Sequence, residues 1–389
     1  MTHHEAMALH RSWYAKDARG WTCPPPSAGA AAFHRNLPGY APTALAEAPG
    51  LAAELDVGRL FVKDESARFD LRAFKYLGAS WAGFRALAAR TGYAGPASLA
   101  GLRAHLAAVG ARPALVTATD GNHGRAVART ARLLGLPARV YLPKVVPGLV
   151  IDRITAEGAQ ATVVDGDYDD SIAAARDQAG GDPDAILIQD TSWAGYEEIP
   201  SWIVAGYETI FAELDEQLAA LGLGRPSVVS VPVGVGSLAQ AAVAHYRHSS
   251  LPQADAAATR LLSVEPDTAA CTLASLAAGQ PVSVPTGGTI MNGLNCGTPS
   301  MLAWPYLAGG LDAAITVTDD ESRTAIGALA GAGLAIGPSG AAALAGLRAA
   351  LTGPGSGPRR AALGLETGQP DDGTGAIVVC VCTEGPLAG

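Results

Sequence analysis

Three short stretches of this 389-residue chain carry side chains whose types and spacing suit chemistry. The first, Lys63-Asp-Glu-Ser-Ala-Arg-Phe-Asp-Leu-Arg-Ala-Phe-Lys75, leads from an apolar segment to the start of a helical pattern. A lysine there is partly desolvated and near the positive end of a helix dipole, so the pKa of Lys75 is expected to fall. A neutral amine is what Schiff-base chemistry requires. The second, Thr117-Ala-Thr-Asp-Gly-Asn-His-Gly124, stands between a strand pattern and a helix pattern. Gly121 and Gly124 permit a tight turn and close approach of backbone to a ligand. Helix N–H groups at the end of that turn favour an anion. Asp120 adds an acid or base and Asn122 a neutral donor. The third, Pro232-Val-Gly-Val-Gly-Ser-Leu238, follows an all-apolar run. Its amides and the Ser237 hydroxyl are suited to cradling a phosphate at a helix N-terminus. It lacks the lysine of a P-loop and the full dinucleotide spacing, which disfavours ATP and NAD. Taken alone, each stretch also has an ordinary structural explanation: a solvated helix lysine, a turn with Asp120 as N-cap, a plain glycine turn.

These residues need rigid elements to hold them. Apolar runs at Leu60–Lys63, Ala114–Ala118, Arg139–Leu142, Ala161–Val164, Ala185–Gln189, Ser227–Val233, Arg260–Val264 and Ala376–Val381 mostly do not alternate in polarity, the mark of parallel strands covered on both faces. Amphipathic stretches at Ala73–Ala89, Gly124–Leu134, Ser171–Gln178 and Leu238–His245 separate them. This alternation predicts an α/β fold with one or two doubly wound open sheets, whose ligands sit at the carboxyl ends of strands. Thr352–Gly375, rich in Gly and Pro, reads as a surface loop.

The length suits two domains. Hydrophobic residues at 49% against charged ones at 16% argue for a large core and against disorder. A formal net charge of −9 argues against nucleic acid as a partner. No run of about 18 apolar residues is present, so no membrane span is expected. Met1–Trp21 lacks the apolar core of a secretory signal, which points to the cytoplasm. The five cysteines have irregular spacing and do not form a secreted disulfide framework. Cys380 and Cys382 are expected to be small buried residues on one face of a strand, and no metal site is expected.

A lysine, an Asn-bearing turn and a phosphate cup, in this order on an α/β chain, resemble the fold-type-II pyridoxal-phosphate (PLP) enzymes, the group of threonine dehydratase and tryptophan synthase β. Within that group the chain is similar to the diaminopropionate ammonia-lyase family from about residue 33 to 385. The similarity is carried by residues 63–75, by Thr119-Asp-Gly-Asn-His-Gly124 and by Gln189-Asp-Thr-Ser-Trp-Ala-Gly-Tyr196. Gly39-Tyr-Ala-Pro-Thr43, Val264-Glu-Pro-Asp267, Thr289-Ile-Met291 with Gly293-Leu294, and Cys382-Thr-Glu-Gly385 add to it. General PLP dehydratases carry Ser or Ala where Asp120 stands.

The resemblance implies two doubly wound open-sheet domains with PLP in the cleft between them. Residues 1–76 and 205–389 would form the large PLP-binding domain and 77–204 the small domain. Lys75 would hold PLP as a Schiff base and remove the α-proton of an L-substrate; Asp120 would do so for the D-isomer. Asp190 would position the substrate amines and Asn122 would bond the PLP phenolic oxygen. Gly234, Val235, Gly236, Ser237 and Leu238 would hold the phosphate, with Thr383 beside the pyridine nitrogen. The implied reaction is α,β-elimination of 2,3-diaminopropionate to pyruvate and two ammonia, in a cytoplasmic homodimer acting on a small amino acid. The alternatives are a related lyase for another 3-substituted alanine and a binding protein that has lost its chemistry. Three features depart from the family: Asp70 and Arg72 replace its usual Gly and Asn, and Gly337-Pro338 lacks the Glu common there. The resemblance also suggests a reversible disulfide between Cys271 and Cys296, against the alternative of two free thiols.

Overall fold

The computed structural model describes residues 12–15, 18–252, 255, 259–365 and 375–386. It divides into two compact units: residues 1–26, 42–67 and 210–389 form the larger, and 27–41 with 68–209 the smaller. The boundaries expected at 76/77 and 204/205 differ from these. Lys75 lies in the smaller unit, not the larger, because the chain around it packs on that unit's helices.

The larger unit is built on a seven-stranded sheet. Its strands are β1 (Ser12–Tyr14), β2 (Leu45–Glu47), β3 (Arg59–Asp64), β8 (Val228–Pro232), β9 (Arg260–Pro266), β10 (Ala313–Val317) and β11 (Ile377–Cys382), in the order β1-β10-β9-β8-β11-β3-β2. The five inner strands run parallel; β1 and β2 close the edges antiparallel. Every residue of β8, β10 and β11 is buried, which accounts for the unbroken apolar runs in the sequence. Cys380 and Cys382 are among them, as expected of two small buried side chains. Strand β10 is absent from the predicted set: Ala313-Ala314 opens it, and alanine carries no β signal. The helix Pro338–Leu351 packs on the strands β8 to β11. A Cβ on its Gly346 would come within 2.3 Å of Val264, so glycine there lets helix and sheet approach. The helix Ser356–Ala362 lies inside the stretch read as a loop, and residues 366–374 of that stretch fall outside the described residues.

The smaller unit holds a four-stranded parallel sheet of β4 (Ala114–Ala118), β5 (Ala138–Pro143), β6 (Gln160–Val164) and β7 (Ala185–Leu187), ordered β6-β5-β4-β7. Strand β4 is buried throughout, whereas the edge strand β6 is largely exposed, unlike the doubly covered strand predicted there. The helix predicted from Ala73 begins at Lys75 and runs to Thr91. Its start is delayed because Phe69, Asp70 and Arg72 adopt left-handed backbone, with φ of 51°, 58° and 61°.

Candidate functional site

In the smaller unit three predicted residues come together. Lys75 opens its helix with no side-chain cap ahead of it. Its Nζ donates to Asp190 Oδ2 at 2.6 Å, and the pair is shielded, with side-chain exposures of 22% and 6%. The Phe74 ring lies 5.3 Å from Nζ. Asp120 is exposed at the mouth of the β4 turn, and its charge also acts on the amine. Burial alone would lower the Lys75 pKa; the charges of Asp190, Tyr207 and Asp120 and the Asp190 hydrogen bond outweigh it. The amine is therefore held protonated, against the depressed pKa expected from the helix start. The helix dipole is the weaker influence because two carboxylates stand close by. Burial would raise the Asp190 carboxyl, but a charge on His123 and that of Lys75 bring it down to about 2.

Asp190 owes its place to the residue before it. The strand predicted to reach Gln189 ends at Leu187. Gln189 Oε1 accepts from Ala118 N at 2.9 Å and from Thr117 Oγ1 at 3.0 Å, so its side chain takes over pairing with β4. Tyr196 Oη accepts from Gln189 N at 2.9 Å and donates to Leu187 O at 2.8 Å. The backbone thus turns away at residue 190 and delivers the carboxylate to Lys75.

In the turn after β4, Thr119 takes two backbone donors. Thr119 Oγ1 accepts from Gly121 N at 2.9 Å and Gly124 N at 3.1 Å. Gly121 is the N-cap of the helix Asn122–Leu134, with no side-chain cap bond. A Cβ on Gly124 would stand 2.3 Å from Thr119 Cγ2, which explains the glycine. Asn122 stands at the helix start. His123, to which the sequence gave no role, is buried there. Its Nε2 donates to Ile188 O at 2.7 Å, and its Nδ1 lies 3.8 Å from Asp190 Oδ2. Burial lowers the His123 pKa, against the charge of Asp190, which raises it. Its position inside the Thr119–Gly124 motif was the available signal.

In the larger unit the glycine loop follows β8, and its Gly236, at φ +101°, is the N-cap of the helix Ser237–Arg247 with no side-chain cap bond. Two glycines are demanded by space. A Cβ on Gly234 would meet Gly293 O at 3.0 Å and Cys296 Sγ at 3.1 Å; one on Gly236 would meet Leu307 at 2.7 Å. Gly234, Val235, Gly236, Ser237 and Leu238 thus form a bare backbone cradle at a helix N-terminus, the form of a phosphate site. The sequence motifs at Gly293, Ser339 and Glu384 converge on this region. A Cβ on Gly293 would meet Ser339 Oγ at 3.3 Å and Glu384 Oε2 at 3.9 Å. Ser339 N donates to Glu384 Oε1 at 3.3 Å, and the buried Ser339 hydroxyl has no hydrogen-bond partner. Thr383 is buried at the end of β11, its N 3.0 Å from a Cβ built on Gly340. These groups fit PLP: a cradle that side chains would fill, a buried hydroxyl that lacks a partner, and a buried threonine at a strand's carboxyl end. Cys271 Sγ faces Gly234 O at 3.9 Å, and all five cysteines are free thiols. The disulfide suggested between Cys271 and Cys296 is not formed. The described residues contain no cluster suited to a metal.

The matches to known proteins agree with this chemistry. The family model for the pyridoxal-phosphate dependent enzymes matches residues 37–363. The diaminopropionate ammonia-lyase of Salmonella typhimurium is 38% identical over 297 residues, covering 74% of this chain and 71% of that protein. That of Escherichia coli K12 is 37% identical over 278 residues, covering 71% and 67%. The holo structure of diaminopropionate ammonia lyase from Escherichia coli superposes with a TM-score of 0.85 at 33% identity, over 97% of this chain and 94% of the other. The same enzyme in complex with an aminoacrylate-PLP azomethine reaction intermediate gives a TM-score of 0.83 at 31% identity, with the same coverage. The chain is a fold-type-II pyridoxal-phosphate-dependent enzyme and belongs to the diaminopropionate ammonia-lyase family.

Proposed function

We propose that this enzyme eliminates both amino groups of 2,3-diaminopropionate, consuming one water and giving pyruvate and two ammonia. The observation that carries this reading is the Asp190 carboxylate. It is ionised at neutral pH and already holds one ammonium, that of Lys75, at 2.6 Å, with the charge of Asp120 close by. A dicationic substrate suits two carboxylates; serine needs neither.

PLP, when bound, supplies an electron sink for the pair left when the substrate Cα loses its proton. The chain's residues do the rest. Lys75 is the covalent anchor and removes the α-proton of the L-isomer. Asp120, exposed and with its charge acting on Lys75, removes it from the D-isomer. Asp190 orients the substrate's ammonium groups as it orients the lysine. Asn122 would donate to the cofactor's phenolic oxygen, residues 234–238 would hold its phosphate, and Thr383 would stand at its ring nitrogen. The enzyme works as a homodimer in the cytoplasm. The five free thiols suit a reducing compartment, and no helix among the described residues is long and apolar enough to cross a membrane. Light scattering on the purified protein tests the dimer.

A substrate panel decides the reaction. Pyruvate and ammonia are followed with both isomers of 2,3-diaminopropionate and of serine. Serine belongs in the panel because the Escherichia coli enzyme has been solved in complex with D-serine. Diaminopropionate should give the higher kcat/KM, with two ammonia per pyruvate. A preference for serine, or one ammonia per pyruvate, overturns the assignment in favour of a lyase for another 3-substituted alanine.

A further inference from the structure

The residues just ahead of Lys75 are strained. Phe69, Asp70 and Arg72 all have Cβ atoms, and all three are in the left-handed region that favours glycine. Such a turn persists only where its surroundings over-determine it. The carbonyl of Leu71, between two of these residues, accepts from Arg125 Nη1 at 3.2 Å. Arg125 lies one turn beyond Asn122 on the helix Asn122–Leu134, so one helix both presents the Asp120–His123 turn and grips the lysine loop. Arg125 is itself anchored. Its Nε lies 3.5 Å from Oε1 of the buried Glu157. Glu157 accepts two hydrogen bonds from Arg129, at 2.6 and 2.8 Å, and meets Arg132 Nη2 at 3.1 Å. The loop also packs on the helix that Lys75 opens: Phe69 lies edge-on against Tyr76, ring centroids 4.8 Å apart, and Tyr76 follows Lys75 directly.

We propose that Arg125, anchored by Glu157, is a positioning residue that holds the strained 69–72 turn through the Leu71 carbonyl and so sets Lys75 beside Asp190. Glu157 acts through Arg125 and does not touch the reacting groups. The proposal rests on Lys75 being the PLP lysine. Arg132 provides the control. It pairs with the same carboxylate and carries the same charge, but the structure gives it no bond to the loop.

The test compares Arg125→Met with Arg132→Met in the full-length protein. Arg125→Met should slow the loading of PLP onto Lys75, followed by the visible absorbance band and by borohydride trapping. It should also lower kcat by roughly 10–100-fold, the scale expected when a reacting group shifts by about an ångström, with little change in KM. Arg132→Met should match wild type in loading and kcat. Adding Asp70→Gly and Arg72→Gly to Arg125→Met should recover most of the loss, because glycine adopts these φ values without strain. Equal behaviour of the two arginine variants overturns the proposal. So does an Arg125→Met defect that the glycines leave uncorrected and that tracks a fall in Tm, since that marks a merely structural arginine. The loading measurement decides even if the wild-type enzyme prefers another substrate. Covalent PLP retained by Lys75→Ala would show instead that the lysine assignment had failed.

Discussion

The stretch from residue 63 to 75 begins and ends with a lysine, and the two are treated in opposite ways. Lys63, in the larger unit, is fully buried. Its Nζ donates to Glu213 Oε2 at 2.7 Å, Gln217 Oε1 at 2.9 Å and Thr43 O at 3.0 Å. All three protons of the ammonium are used, so the charge is neutralised and locked. Lys75, in the smaller unit, remains 22% exposed and is held by one carboxylate at 2.6 Å. A structural lysine saturates its donors; a reactive one needs a partner it can give up and a path to solvent. Both sit beside acidic groups, so charge pairing by itself does not separate the two roles. Saturation and exposure do.

This contrast makes the substitution of either lysine informative. Lys75→Ala should lose more than the ~10²–10⁴-fold worth of a general base, because the covalent anchor goes with it. Borohydride should trap no PLP on the protein, and retained turnover would assign the chemistry to another residue. Asp120→Asn comes next. The D-isomer rate should fall by ~10²–10⁴-fold while much of the L-isomer rate survives. Steady-state rates on the separate isomers read this out, and equal small losses on both would return Asp120 to a surface role. Lys63→Met should act on stability, since it strands Glu213 in the core. A cost of about 3–5 kcal/mol is expected in urea unfolding, with PLP still attached to whatever protein remains folded. A stable Lys63→Met variant without PLP would reverse the roles of the two lysines.

Asp190→Asn should have the smallest effect of the four on the PLP-free protein. Asp190 raises the Lys75 pKa, so its loss lowers that pKa and increases the neutral amine at a given pH. The acid limb of PLP loading should move to lower pH, and an unmoved limb would count against the pairing. The sign for stability is opposite. The Asp190 carboxyl titrates at about 2, below its ordinary value of 3.8. Its contribution is therefore present above pH ~4 and lost as pH falls toward 2. The acid unfolding curve of Asp190→Asn should lack this component.

Much of the fold was legible because buried parallel strands are apolar end to end: β3, β4, β8, β9 and β11 coincide with runs expected from composition. The edge strands β1 and β2 and the alanine-led β10 carry no such signal. Among site residues, motif spacing pointed to Lys75 and Asp120 and the family resemblance to Asp190, and the structure brings those three together. It could not show that Thr119 accepts two of the turn's N–H groups, since either Thr119 or Asp120 is of a type that can. Nor could it show that Gln189 stands in as a strand partner so that Asp190 leaves the ladder.

By itself, then, the order of residues determined the α/β class, the glycines of the phosphate cradle and the lysine, turn and cup that mark the cofactor. These follow from local rules: strand hydrophobicity, the φ freedom of glycine and the free N–H groups of a helix start. Tertiary structure alone decided the protonation of Lys75, the partner of Asp190 and the arginine grip on the left-handed turn. Each depends on groups tens of residues apart, as with Lys75 and Asp190 or Leu71 and Arg125. Electrostatic influence at a few ångströms exceeds anything the local helix dipole contributes.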